Sequence, residues 1–279
     1  MASGLDNANT LKGRLSIVNN VVYNYVDFIN KYYKPAPVQH FYALKANYED
    51  NFGGTQQYYC AGNELPGYFT ASSKQDGNGA GAFWAQVTFS PAPTYQFFLD
   101  NPFTPNTIEY QSVTEAYKRV LSDVGANVPS LDDRDKRIIK GTHSGTTTYT
   151  GNVGGLESWP ATTRPSWDKD SSGDGVPDWW DGSTGGTGYT RYLNFLAKPH
   201  VFVNTGASVS IALTDLASGF KNPTFTASVS SGSVSVSGST ATYKAGSSAA
   251  IATMTADIKD NEGSTWTRIV GIVVLGSGT

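Results

Sequence analysis

The sequence predicts a mainly β protein made of two unlike β parts, with short helices and a metal-binding stretch between them. Three observations predict it. Short β-prone runs recur through the first hundred residues, each with Asn near its middle. Clean period-2 alternation of apolar and small polar residues fills 200–279. Between these parts, Asp170–Asp181 places oxygen side chains at relative positions 1, 3, 5, 9 and 12, with Gly at position 6, the ligand pattern of a calcium loop.

The β-prone runs come first. Leu15–Asn24 is followed by Val26–Pro35, then Phe41–Tyr48, and then a weaker Tyr58–Tyr68. Asn tolerates the left-handed conformation that a tight corner needs. Repeated short strands bent at Asn therefore predict stacked rungs of a solenoid over residues 1–110. Gly77–Ala82 precedes Phe83-Trp84 rather than a helix, and reads as a turn, not a phosphate loop.

A helical cap and linker is expected over 111–163. Ser112-Val113-Thr114-Glu115 is a capping-box start. Ala116, Tyr117, Val120, Leu121 and Val124 follow at helical spacing, and Gly125 ends the helix. A second helix is expected from Ser130 to Gly141, and a Gly/Thr/Ser-rich linker from Thr142 to Thr163.

The calcium segment spans 164–199. In an EF-hand-like loop, Asp170, Ser172, Asp174 and Asp178 supply side chains or bridging waters, Val176 supplies its backbone carbonyl, and Asp181 replaces the usual bidentate Glu. Ca²⁺ takes 6–8 oxygen ligands, so a loop that fills this set leaves little room for substrate and is expected to be structural. The alternative is a solvated acidic turn. Tyr189, Tyr192, Leu193 and Leu196 then fall at helical spacing, and Pro199 ends that element.

In 200–279, Val209, Ile211 and Leu213 alternate with polar or small residues, as do Phe225–Val229, Val234–Val236, Ala241–Tyr243, Ile251–Thr255 and Trp266–Val274. Gly/Ser/Asn turns separate the runs. Roughly seven strands at short intervals predict a β-sandwich of immunoglobulin-like type. It resembles the modules appended to bacterial secreted enzymes.

Composition bounds the function. Only 15 % of residues are charged and the formal net charge is −3, with no basic run, which argues against nucleic acid as a partner. No apolar run approaches 18 residues, so no membrane span is expected. Met1–Asp6 lacks the basic and apolar regions of a signal peptide, so the expectation is a removed signal or an excised piece. The lone Cys60 reads as a small core residue. His40, His143 and His200 lie far apart with no nucleophile motif nearby, and read as surface or loop residues. The chain carries 16 Tyr, 13 Phe and 6 Trp, a supply that suits either a filled solenoid or a glycan groove.

Several motifs resemble bacterial pectate lyases, the parallel right-handed β-helix enzymes of one polysaccharide lyase family. Ile17–Asn24, Phe28–Pro37 and Ala61-Gly62-Asn63 resemble their later rungs. Glu115-Ala116-Tyr117, Gly125–Pro129, Asp133–Ile138, Gly154-Gly155, Trp159-Pro160, the acidic loop and Gly188–Asn194 follow in the family's order. The resemblance covers roughly 14–197 and implies a partial right-handed parallel β-helix with capping helices. It also implies a secreted, extracellular protein that acts on or binds acidic polysaccharide. In the family, aspartates on earlier rungs hold the catalytic calcium and an arginine removes the C5 proton. The Val-Trp-Ile-Asp-His-like stretch and the Arg-x-Pro-x-x-Arg run that mark those rungs are absent here, so no catalytic residue is placed by match. Arg14, Lys31, Lys34 and Lys45 are the basic candidates among the rungs.

Two other readings stand beside this one. The rungs and the all-β tail could form a non-catalytic, self-associating extracellular subunit, because a truncated solenoid leaves an unpaired edge. Alternatively, a second chain completes the β-helix.

Overall fold

The computed structural model describes residues 25–29, 32, 44–48, 57–72, 75, 83–87, 90–92, 94–102, 110–145, 169–181 and 188–276. The first rung run at 15–24, the linker from 146 onward, the Gly77–Ala82 turn, His40, Arg14, Lys31 and Lys34 lie outside these residues. The fold is mainly β, and the chain divides into two compact units, Met1–Tyr117 and Lys118–Thr279.

Among its described residues, the first unit holds two parallel ladders. Strand β1 (Tyr25–Ile29) pairs with β3 (Gln57–Ala61), Tyr25 opposite Gln57. Strand β2 (Leu44–Tyr48), which contains Lys45, pairs with β4 (Phe83–Val87), Leu44 opposite Phe83. Parallel neighbours need long connections, and here each connection carries one strand of the other ladder. The β1–β3 ladder continues on both sides. Tyr32 bridges Glu64, and Tyr58 bridges Phe98, with Tyr58 N–H donating to Phe97 O at 2.8 Å and Leu99 N–H to Tyr58 O at 2.8 Å.

After β3 the chain turns a corner at Gly62, whose φ of 65° suits glycine, and at the fully buried Asn63. Gln75 closes that corner. Its Oε1 accepts from Asn63 N–H at 2.9 Å and Asn63 Nδ2 at 2.8 Å, and its Nε2 donates to Asn63 O at 2.7 Å. Both polar atoms of the Gln75 amide and the Asn63 backbone are thereby matched, as burial of an amide requires. Cys60, expected in the core, is half-buried in β3.

Helix α1 (Val113–Asp123) follows, and Ser112 Oγ accepts from Glu115 N–H at 3.2 Å, as the capping box predicts. Helix α2 (Asp133–Ser144) differs from expectation at both ends. Its N-cap is Asp132, which accepts from Asp135 N–H at 2.7 Å, and it runs through Gly141 to a left-handed Gly145. Asp132 has the extended backbone and the bonded side chain of an N-cap, and Gly141 within the helix lacks the left-handed turn that stops one. The expected linker start at Thr142 and the loop placement of His143 are corrected accordingly: both residues are helical.

Among the described residues, the second unit has seven strands in two sheets. One has the order β5 (His200–Asn204), β11 (Thr265–Leu275), β10 (Ala250–Lys259), β7 (Thr224–Val229). The other has β6 (Ser208–Ala212), β9 (Thr240–Lys244), β8 (Ser233–Ser237). All pairings are antiparallel except β5 with β11. Val203, Ile211, Tyr243, Met254, Val270, Ile272 and Val274 from both sheets, with Leu213 just after β6, fill one core between them. The alternation seen in sequence is the alternation of these inward residues.

Buried polar contacts fasten α1 to this sheet pair. Lys118 Nζ donates to Asp260 Oδ2 at 2.5 Å and Ser264 Oγ at 2.9 Å. Ser122 Oγ accepts from Gly219 N–H at 2.9 Å and donates to Lys118 O at 2.8 Å. Gly219 has to be glycine, because a Cβ there would stand 2.2 Å from Lys118 O. Arg268 pairs with Asp123 at 2.6 Å, and Lys136 of α2 pairs with Asp215 at 3.0 Å.

No helix among the described residues is long and apolar enough to cross a membrane.

Candidate functional site

The acidic loop is held from its C-terminal side. Helix α3 (Asp178–Asp181) carries Trp179 and Trp180, and helix α4 (Tyr189–Leu196) carries Tyr192 and Phe195. Trp179 lies 5.2 Å from Phe202 of β5 and 5.8 Å from Tyr192, both edge-on, and Trp180 lies 5.1 Å from Phe195. Edge-to-face packing at these separations suits the ring quadrupoles. The cluster closes over Val273 and Leu275, which point to the opposite face of β11 from the core residues Ile272 and Val274. Phe195 comes so close to β11 that a Cβ on Gly271 would stand 2.3 Å from its ring.

This corrects the expected face of α4. Tyr192 and Phe195 are buried, whereas Tyr189 and Leu193 are exposed. The spacing was helical, but the buried stripe is set by which residues meet β11.

The N-terminal side of the loop is shaped by its own backbone. Gly173 and Gly175 have φ of 72° and 83°, and Val176 is buried. Asp170 accepts from Gly173 N–H at 2.8 Å with one oxygen and from Gly175 N–H at 2.9 Å with the other, and Ser172 Oγ donates to it at 3.2 Å. Asp174 accepts from Val176 N–H at 3.0 Å. Asp178 accepts from Ser171 N–H at 2.8 Å and Ser171 Oγ at 2.7 Å. Those bonds from Ser171, side chain first and backbone second, hold the Asp178 carboxyl below its ordinary value.

Asp181 is the exception. Both its carboxylate oxygens are buried and neither meets a hydrogen-bond donor. Burial pushes its pKa up, and the negative charges of Asp174 and Asp170 push it further. Asp174 comes near enough to act on its proton, but two ionised carboxylates offer each other no donor. A buried carboxyl in the field of two others, with no donor of its own, is a group that a hard divalent cation would neutralise.

Of the six predicted ligand residues, Asp170 and Asp174 each act electrostatically on Asp181. Asp178 is turned to Ser171, and the Ser172 hydroxyl is engaged with Asp170. Among the described residues no three His, Cys, Asp or Glu side chains stand in a ready-made metal cluster. The donor set is all oxygen, which fits Ca²⁺ rather than a softer metal.

The histidine reading is also corrected. His200 is buried at the start of β5, with its ring 4.7 Å from Phe195 and 5.7 Å from Phe202 and its Nδ1 2.8 Å from Lys198 O. It is a packing residue. The aromatic anchor that positions Asp181 was also missed. Its signal in the sequence was the Trp179-Trp180 pair inside an otherwise polar loop.

No family model matches the chain, and no curated protein matches it. Among solved structures, it is similar to a nucleoside hydrolase-related hypothetical protein from Saccharophagus degradans, described as associated with carbohydrate metabolism. The identity is 22 %, covering 28 % of this chain and 23 % of that one, with a TM-score of 0.22. A likeness that slight carries no argument about fold or function.

Proposed function

We propose that this chain is a portion of a secreted, pectate lyase-like protein that binds acidic polysaccharide and lacks the catalytic rungs of that family. The observation that carries the reading is the alternation of two parallel ladders. The chain visits β1, β2, β3 and β4 in turn, and β1 pairs with β3 while β2 pairs with β4. Stacked coils of a parallel β-helix do this, because every turn returns to the same face. Right-handed coiling is the sense that parallel crossovers favour.

The tail supports the second part of the reading. Its strand order, β5-β11-β10-β7 against β6-β9-β8, supports an immunoglobulin-like sandwich with its first strand beside the last. In this reading the module tethers or binds.

The experiment is incubation with polygalacturonate and Ca²⁺, following retention on immobilised polymer and unsaturated product in the ultraviolet. Retention without product is expected. Formation of product would restore a catalytic role, and absence of retention would overturn the reading.

Calcium belongs to the same proposal. Asp170, Asp174 and Asp181 would hold the ion with the Val176 carbonyl, while Asp178 fixes Ser171. The ion's role is to neutralise the buried Asp181 and stiffen the entry to α3. Added Ca²⁺ should stabilise the protein by about 2.7 kcal/mol at ~100-fold excess over Kd. Asp181→Asn should abolish that gain without lowering stability in chelator. Equal melting temperatures with Ca²⁺ and with chelator in the unmutated protein would remove the ion.

A further inference from the structure

One edge of the three-stranded sheet is β8, and it lacks the devices that keep sheet edges apart. Its five residues, Ser233-Val234-Ser235-Val236-Ser237, include no charge and no proline. All five pair with β9 in unbroken register, from Ser233 opposite Lys244 to Ser237 opposite Thr240, so no bulge turns the edge away. Gly232 and Gly238 flank the strand and set no side chain in front of it. Val234 and Val236 are half-buried, packed at the margin of the core that the two sheets share.

The turn after β8 decides which backbone groups are free. Gly238 and Ser239 alone connect β8 to β9, and Gly238 has a φ of 58°, as the first central residue of a type II′ turn does. Such a turn closes on a hydrogen-bonded pair, here Ser237 with Thr240. Bonded and non-bonded pairs alternate along an antiparallel ladder, so Ser235 and Ser233 also bond to β9. The N–H and C=O groups of Val234 and Val236 therefore point outward, and among the described residues no backbone group receives them. This pattern is self-complementary. An antiparallel copy of β8, turned about a two-fold axis at Ser235, sets Val234 opposite Val236 of the second copy and Val236 opposite its Val234. Both N–H···O bonds then form in each pair, and the valines of the two copies meet on one face. The opposite edge, β6, offers less. Its Ile211 is already buried, and it runs directly into the turn Leu213–Leu216, where Asp215 is ion-paired with Lys136.

We propose that the chain forms a two-fold dimer through β8, joining the three-stranded sheets of two copies into one continuous sheet. Both copies present the same strand, as a closed isologous contact requires, and neither brings a charge to it. Main-chain hydrogen bonds supply the attraction, as in other cases where a strand is added to a sheet edge. A five-residue edge buries well under the ~800 Å² per copy of a standard interface, so the dimer is a weak one, with a dissociation constant of about 100 µM. The pairing is independent of whatever the first unit binds.

The test uses the full chain with no ligand added. Sedimentation equilibrium between about 10 µM and about 500 µM should follow a monomer–dimer equilibrium. Amide hydrogen exchange at Val234 and Val236 should slow across that range, while Ser235, already bonded to β9, stays protected throughout. Ser235 is exposed and faces its own counterpart across the axis. Ser235→Lys should therefore weaken dimerisation about fivefold or more, because it sets like charges directly opposite each other. Ser235→Asp should do the same, and a mixture of the two variants should recover the dimer. Ser210→Lys, at an exposed position of β6, should leave it intact. A monomer at every concentration would overturn the proposal, as would species larger than a dimer. So would a dimer indifferent to Ser235→Lys, one lost with Ser210→Lys, or a mixture of the Lys and Asp variants that associates no better than either alone.

Discussion

Lys118→Met is expected to lower the unfolding free energy by about 3–5 kcal/mol, the cost of stranding a buried charge. The Lys118 and Asp260 side chains are only 4 % and 0 % exposed. Asp260 also accepts from Ser264 N–H at 2.9 Å and Glu262 N–H at 3.0 Å, so it cannot swing out to solvent without losing those bonds too. Replacing both members with apolar residues should cost far less than replacing one. Chemical denaturation of the single and double variants, followed by tryptophan fluorescence, measures both. A loss below about 1 kcal/mol for the single variant would mean that Lys221 takes over the charge.

The same pair sets a pH dependence whose sign follows from its two members. Burial alone would raise the Asp260 pKa, but the hydrogen bond from Lys118 and those from the Ser264 and Lys221 backbones bring it below the ordinary carboxylate value. Its contribution is therefore present above about pH 4 and is lost as pH falls through the folded value. Burial alone would lower the Lys118 pKa, but its hydrogen bonds and charge interactions with Asp260 and Glu262 raise it instead. That contribution is present below about pH 10 and is lost as pH rises through the folded value. Acid unfolding of the Lys118→Met variant should accordingly be flatter than that of the unmutated protein.

Phe195→Ala should be comparably severe, at about 3–5 kcal/mol, because it empties the space between α4 and β11. The ring packs against Trp179, Trp180 and His200, and no side chain exists at Gly271 to fill behind it. Gly271→Ala presses on the same ring from the opposite side. It should be destabilising alone and much less so in the Phe195→Ala background. A double-mutant cycle measures this coupling. Additive effects would show that Phe195 and Gly271 do not share one space.

These contacts explain why some of the molecule was legible in its sequence and some was not. The tail strands could be read because each has one face in the core, which imposes strict alternation. Helix α1 was legible through Ser112 and Glu115, a purely local device. Strand β4 was passed over, because Phe83–Val87 has no Asn and follows a glycine-rich stretch. The pairing of β1 with β3 rather than β2 was equally hidden, since parallel register is set by residues distant in sequence. In the acidic loop, position and residue type put Asp181 in the ligand pattern, in place of the usual Glu. They did not reveal that Ser171 holds Asp178, because a hydroxyl at position 2 has no place in the ligand pattern. Lys118 carried no signal at all: a lysine on a helix becomes a buried anchor only when another segment brings Asp260 to it.

The ladders of the first unit bear on how such a chain changes its length. All four strands are five residues long, while the stretches joining them, 30–43, 49–56 and 62–82, are unequal. A strand that gained a residue would turn every later side chain to the wrong face. A connection that gained several would leave both ladders in register. Insertions and deletions among natural variants of this protein should therefore collect between the strands, with the count of five preserved within them.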